Sequence, residues 1–312
     1  MPIIIIDQHN YAGVGKKLAL AIATRAEVKY FNIPRNMYSK PLNDALADTD
    51  VIVFHIEPGF SDNFEIPPSK LLEKYLGGLK IPKRVPNVVF WAGTLCRVDS
   101  MRYLGVSERD RKEYSKRRNY FTHHADVALC STIDLVRCCD GIQFLGQPEW
   151  FPDTLPAKDI TKHAILHVRS GPDVTNPFKG TDEICLALSK VKDATILTPP
   201  FPTKKDAIMA LNERATMAVQ SITSYDYGLC YTGLEAISSG ALLFSKTPEW
   251  WDTPIVRVND GADLVKKIQY YQKHPWKWQA QRRKQFDWCK ANFSYDAIGG
   301  KIMDYLHGAG LK

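Results

Sequence analysis

No apolar stretch in the 312 residues approaches the roughly 20 needed to cross a bilayer; the longest, 2–6 and 51–56, are strand-sized. No transmembrane helix is expected. The opening also lacks the order of a secretory signal, because Asp7 and His9 interrupt the apolar run and Gly13-Val14-Gly15 follows at once. A cytosolic location is the expectation. The seven cysteines (Cys96, Cys130, Cys138, Cys139, Cys185, Cys230, Cys289) are odd in number and never form two spaced pairs, so neither a disulfide framework nor a zinc site is read from them. No Gly-Lys-Ser/Thr closes a phosphate loop, since Lys179-Gly180-Thr181 has the order reversed, which argues against an ATPase. The turn at Gly13-Val14-Gly15 is short of the third glycine of a dinucleotide fingerprint, which disfavours a two-domain dehydrogenase.

What is present is the composition of an ordinary globular protein, 45% hydrophobic and 24% charged. The length suits two α/β domains of about 150 residues each. A net charge of +7 favours polyanions, acidic head groups or phosphorylated ligands as partners.

Segments 3–6, 28–31, 50–55, 87–91 and 126–130 read as strands separated by helix-like stretches, beginning with a glycine-rich turn into a helix over 17–25. Such alternation predicts a parallel sheet. The proline-rich passage 147–156 has the make-up of a linker. After it the alternation resumes, with strands at 164–168, 195–198, 217–221 and 241–244 and helices at 179–191, 204–212 and 234–239. The expected organisation is a first domain over 1–150, a second over 151–290, and a final helix at 291–312 packing back on the first. The helical region 261–308 is rich in Lys, Arg and aromatics, with Trp276, Trp278, Phe286 and Trp288 expected on packing faces.

Three places carry candidate chemistry. Gly13 and Gly15 let backbone N–H groups and a helix N-terminus approach an anion. Arg169 and Ser170 end a strand, and Lys179 and Thr181 open the next helix, so a guanidinium, a hydroxyl and an ammonium gather at the carboxyl edge of one sheet. α/β folds bind ligands there, and a diphosphate fits. The loop over 225–233, with Tyr227, Gly228, Thr232, Gly233 and Leu234, runs into a helix whose single carboxylate, Glu235, is costly to bury without a partner; vicinal ribose hydroxyls are suitable donors.

The combination of His167-x-x-Ser170 with Lys179-Gly-Thr181 and of Gly233-Leu-Glu-Ala-x-x-x-Gly240 resembles the retaining glycosyltransferases of the two-Rossmann, GT-B type. The likeness covers the second half of the chain; the first half joins it only through Gly13-Val-Gly15 and 123–131. It implies two doubly wound domains facing across a cleft, bridged by C-terminal helices. It also implies a nucleotide-sugar donor, with Arg169 and Lys179 on the diphosphate and Glu235 on the ribose. The family's earlier Glu, on the donor sugar, is replaced here by Tyr227, with Asp226 one place off.

In a retaining reaction the donor phosphate receives the acceptor proton, and stabilising the departing diphosphate is the protein's main task. An inverting reaction needs a base from the first domain; Asp7, His9, His55 and Glu57 stand at strand ends, with His9 and Glu57 carried as the catalytic candidates. Neither a metal nor a cofactor is expected, the nucleotide-sugar, favoured as a UDP-sugar, being a substrate. On the acceptor side, residues 109–118 hold six basic residues against two acidic. Arg97, Arg102, Arg111, Lys112, Arg117 and Arg118 are candidate contacts to nucleic acid. A 5-hydroxymethylpyrimidine in DNA is the favoured acceptor. A flipped base would leave a gap that Trp91, Tyr103 or Tyr120 could fill. Saccharide or lipid acceptors, peripheral membrane contact, and a non-catalytic nucleotide-sugar or nucleic-acid-binding protein are the alternatives.

Overall fold

The computed structural model describes residues 1–7, 13–32, 40–56, 85–91, 108–167, 180–197, 212–223 and 228–310. Two compact units emerge: unit 1 combines Met1–Pro148 with Tyr295–Lys312, and unit 2 is Glu149–Ser294.

Unit 1 is built from β1 (Pro2–Asp7), α1 (Val14–Ile22), β2 (Glu27–Asn32), α2 (Lys40–Leu46), β3 (Val51–Ile56), β4 (Asn87–Trp91), α3 (Glu108–His124), β5 (Val127–Cys130), α4 (Leu135–Cys138) and β6 (Ile142–Phe144), closed by the last helix of the chain. Its strands form one sheet in the order β2-β1-β3-β4-β5-β6, and every pairing among them is parallel. Strands that alternate apolar residues on both faces need helices on both. Ile4, Ile6, Ile52, Phe54, Val89 and Trp91 share one core with Leu42 and Leu46 of α2 and Leu135 of α4. The alternate residues Ile3 and Ile5 are as deeply buried. Trp91 lies wholly inside that core, so it is a packing residue and cannot fill the gap left by a flipped base.

Unit 2 contains β7 (Ala164–His167), α5 (Thr181–Leu188), β8 (Thr195–Leu197), β9 (Met217–Val219), α6 (Tyr231–Ser238), β10 (Leu242–Ser245), β11 (Val256–Arg257), α7 (Gly261–Lys273) and α8 (Pro275–Phe293). The sheet order is β11-β10-β9-β7-β8, again all parallel. Ile165, Met217, Val219, Leu242 and Phe244 pack against Ile184 and Leu188 of α5, Leu264 and Ile268 of α7, and Trp278 of α8. Long polar side chains close the rest. The Gln285 amide exchanges hydrogen bonds with the Leu243 N–H at 2.8 Å and C=O at 2.9 Å. Buried Arg282 donates to the carbonyls of Gly240 and Pro156 while stacking on Trp278. Burial lowers that guanidinium's pKa to about 10, with Arg283 adding to the effect.

The chain passes between the units at Pro148/Glu149 and again at Ser294/Tyr295. Within unit 2 these two points are stitched together: the Glu149 N–H donates to Phe293 O at 2.8 Å, and Glu149 pairs with Ser294 in a parallel bridge. The final helix, α9 (Tyr295–Gly308), belongs to unit 1. There Arg25 pairs with Asp296 at 2.7 Å, and the Tyr305 hydroxyl donates to Phe144 O. No helix among the described residues is long and apolar enough to cross a membrane.

One expectation fails in α8. Trp278 and Phe286 are buried as foreseen, but Trp276 is 64% exposed. The buried residues of α8 are Trp278, Arg282, Gln285, Phe286, Cys289 and Phe293. Two residues of helix turn a side chain by about 200°, so Trp276 lies opposite that stripe.

Candidate functional site at the two sheet switch points

In an open parallel sheet the strand order reverses at one point, and ligands bind outside the carboxyl ends of the strands there. In unit 2 the reversal falls between β7 and β9. His167 ends β7, is fully buried, and lies 2.9 Å through Nδ1 from Val219 O, across the switch. A carbonyl only accepts, so Nδ1 carries the proton. Nε2 is then the acceptor for the Thr181 hydroxyl at 3.2 Å. This bond pins the first residue of α5, whose N-terminal end, behind Gly180 in the left-handed region, opens at the sheet edge.

The residue after β9 does comparable work. Gln220 is 2% exposed. Its Oε1 accepts from the Cys230 N–H at 3.0 Å, and its Nε2 donates to Gly228 O at 2.8 Å and Ser245 Oγ at 3.1 Å. It thereby grips the loop that feeds α6 from β9 and ties it to the end of β10. Gly233, in the first turn of α6, approaches so closely that a Cβ there would overlap Gln220 Oε1. Two helix N-termini, each carrying the partial positive charge of its helix, are thus fastened to one sheet edge.

Among the residues singled out from the sequence, Gly228, Thr232, Gly233, Leu234 and Glu235 gather at this edge with Thr181. Thr181 and Leu234 are buried, Thr232 and Glu235 half-buried. Arg169, Ser170, Lys179 and Tyr227 lie outside the described residues. His167 enters the sequence reading only as part of the motif, and Gln220 escapes it altogether. The signal for Gln220 would have been a long amide directly after an apolar strand, where a backbone-satisfying role is the economical use of it.

In unit 1 the reversal falls between β1 and β3, where Asp7 and His55 are register partners. Both side chains are fully buried, with His55 Nδ1 2.9 Å from Asp7 Oδ1. Tyr30 of β2 donates its hydroxyl to Asp7 Oδ2 at 2.6 Å. Burial pushes that phenol well above its ordinary range, and the hydrogen bond to Asp7 adds to this. His55 Nε2 is buried with no hydrogen-bond partner among the described residues. α1 begins at Val14, behind Gly13, so Gly15 stands inside its first turn rather than ahead of the helix. A Cβ on Gly15 would overlap the Asp7 carboxylate, which places the α1 N-terminus directly against the pair. His9 and Glu57 lie outside the described residues.

Of the basic candidates, Arg97 and Arg102 also lie outside the described residues, and Arg111, Arg117 and Arg118 are known only by their places on α3. Lys112 is exposed and paired with Glu108 one turn earlier at 3.0 Å. The Asp-x-Asp triplet of the chain, Asp48-Thr49-Asp50, turns into β3 at the amino edge, opposite the switch point. There the Asp50 N–H and the Thr49 hydroxyl both reach Pro2 O.

No family model and no curated protein matches the sequence. Solved structures do. The Anabaena protein HepE in complex with UDP-glucose superposes with a TM-score of 0.63 at 11% identity, covering 99% of this chain and 100% of that one. An α-glucosyltransferase in complex with UDP and a 13-mer DNA containing a hydroxymethyluracil base gives 0.64 at 14% identity, over 98% and 99%. The fold is GT-B. A mutant of S. aureus TarM, in complex with Fondaparinux, α-GlcNAc-glycerol and UDP, gives 0.53 at 10% identity over 82% of this chain and 55% of its own. In GT-B terms, unit 1 is the N-terminal Rossmann-like domain completed by α9, and unit 2 is the C-terminal one carrying the His167–Thr181 and Gln220–Cys230 contacts.

Proposed function

We propose that the protein is a glycosyltransferase that binds a UDP-sugar at the carboxyl edge of unit 2 and transfers the sugar to an acceptor hydroxyl. The observation that carries this reading is the pair of helix N-termini, α5 and α6, fixed at one switch point by His167 and Gln220. Such an edge suits a dianionic diphosphate, and structures sharing the fold over nearly their whole length hold UDP or UDP-glucose. Arg169 and Lys179 flank the gap between β7 and α5 in sequence. Their role is to take up the charge that develops as the diphosphate departs. Glu235 accepts from the ribose hydroxyls.

In a retaining transfer the acceptor proton passes to the donor phosphate, and no protein base is required. If the configuration is inverted, a base comes from unit 1, where His9 and Glu57 stand two residues and one residue beyond the ends of β1 and β3 in sequence. The buried Asp7–His55 pair then orders the strand ends that carry them. The acceptor we favour is a 5-hydroxymethylpyrimidine in DNA, supported by the basic composition of residues 109–118 and by the DNA held in one structure of the same fold. Saccharide acceptors are the competing reading, since the TarM structure of the same fold holds Fondaparinux and α-GlcNAc-glycerol beside UDP.

The test is a thermal-shift screen against UDP-, GDP- and ADP-sugars followed by mass spectrometry of hydroxymethylated DNA incubated with the hit. A shift and a sugar-sized mass gain on the DNA support both halves of the proposal. A shift without gain on DNA sends the acceptor search to saccharides. No shift with any donor refutes the donor site.

A further inference from the structure

We infer that the α7–α8 elbow of unit 2 is a sequence-independent contact for the phosphate backbone of duplex DNA. The inference rests on the DNA acceptor reading above and assigns it a second surface, separate from α3. Residues 264–286 contain seven Lys or Arg and no Asp or Glu. That equals the net charge of the whole chain, +7, so the remaining 289 residues balance to zero.

The fold spends two of the seven internally. Lys267 bonds Asp263 and the Arg257 carbonyl, and Arg282 is buried against Gly240 and Pro156. The other five, Lys266, Lys273, Lys277, Arg283 and Lys284, have no ion pair among the described residues, and all but the partly buried Lys277 are exposed. Lys266, Tyr270 and Lys273 fall at i, i+4 and i+7 on α7; Trp276, Ala280 and Arg283 do the same on α8. Each set therefore forms a stripe along its helix. A depression of about 390 Å³ beside α7 is lined by His163, Lys192, Asp193, Gln269, Gln272 and Lys273, where Asp193 offsets Lys192 and Lys273 is left as the excess charge.

Two exposed aromatics interrupt the lysines: Trp276, and Tyr270 at 42% exposure. A bilayer would need such rings bare, with apolar neighbours to insert beside them. Here Lys277 Nζ sits 4.1 Å from the Trp276 ring centre, and the His274 ring lies tilted against Tyr270 at 4.5 Å. Each ring thus has a nitrogen-bearing side chain against it, and no other large hydrophobic residue of 264–286 is exposed. Such a face suits phosphates rather than acyl chains.

The experiment measures binding of the full chain to an unmodified duplex by fluorescence anisotropy across a salt series. It uses wild type, a Lys273→Gln/Arg283→Gln/Lys284→Gln variant, and Trp276→Ala. Each phosphate contact contributes about −0.9 to the slope of log K against log salt. The triple variant should lose between two and three units of slope and bind at least tenfold more weakly, while Trp276→Ala keeps the wild-type slope. An unchanged thermal shift with the UDP-sugar certifies the fold of both variants. Equal slopes for wild type and triple variant overturn the inference and leave α3 as the contact. Failure of wild type to bind any duplex overturns it together with the DNA acceptor. Sedimentation with phosphatidylglycerol vesicles that Trp276→Ala abolishes, without duplex binding, overturns it in favour of a lipid surface. Binding through the elbow with no sugar added to hydroxymethylated DNA keeps the inference and removes the acceptor assignment, so the two fail separately.

Discussion

Replacing Gly233 with alanine should destabilise unit 2, and the sign of that effect should reverse when Gln220 is removed first. In a helix interior, Gly→Ala normally gains 0.5–1 kcal/mol, roughly. Here the new methyl overlaps Gln220 Oε1. Displacing that side chain loses its hydrogen bonds to Cys230, Gly228 and Ser245. At about 1 kcal/mol each, less the helix gain, the net cost is about 2 kcal/mol. Gln220→Ala alone should cost about 3 kcal/mol. In that background the nearest atom to the methyl is the Leu243 side chain at 3.1 Å, which can give way by a few tenths of an ångström, so Gly233→Ala should be neutral or stabilising by up to about 1 kcal/mol. The coupling energy of the cycle is then between about 2 and 3 kcal/mol, well beyond the scatter of additive pairs. Urea unfolding followed by tryptophan fluorescence reads the relevant unit, because six of the seven tryptophans lie between 149 and 294. Equal destabilisation by Gly233→Ala in both backgrounds would refute the claim that Gln220 dictates this glycine.

Thr181→Val removes the hydroxyl that donates to His167 Nε2 and leaves a buried acceptor without it; a loss of about 1–2 kcal/mol and a raised KM for the UDP-sugar are expected, against an unchanged KM if α5 is held by packing alone. Gly15→Ala drives a methyl into the Asp7 carboxylate and should cost unit 1 about 1–3 kcal/mol, read by circular dichroism in urea. Lys158 donates to the carbonyls of Asn212 and Glu213, and burial, reinforced by Arg282, lowers its pKa to about 8. Between that value and its ordinary one, about 10.4, the unfolded chain binds the extra proton, so this group's contribution to stability rises with pH. Relative to Lys158→Met, wild type should therefore gain stability from pH 8 to pH 10 in paired urea titrations; a constant difference would contradict the shifted pKa.

How much of this was legible depended on how local the cause was. β1, β3, β4 and β5 announce themselves because burial on both faces makes each an unbroken apolar run. β6 and β11, three and two residues long at the sheet edges, have no run to see. The two glycines of Gly13-Val14-Gly15 were readable as special, but only the packed structure shows that Gly15 serves a carboxylate eight residues earlier rather than a turn. Gln220 was invisible for a related reason: its partners are 8, 10 and 25 residues away, beyond any periodic pattern. In α8 the buried stripe contains an arginine and a glutamine, which blurs the amphipathic signal and made Trp276 look like a core residue. The helix-opening Thr181 and the Gly233–Glu235 turn were visible as motifs, yet what holds them, His167 and Gln220, is supplied by neighbouring strands.

With α9 belonging to unit 1, unit 2 is an insertion within it, and the stitch between Glu149 and the end of α8 ties the two ends of that insertion together. A ribosome has to polymerise the whole of unit 2 before the first residue of α9 is added. Until then, the α1 side of the first sheet lacks the helix that carries Asp296 and Tyr305, and the first domain to be made is the last to be finished. The inserted unit, whose two ends are already hydrogen-bonded to each other, has everything it needs to fold while the outer one waits.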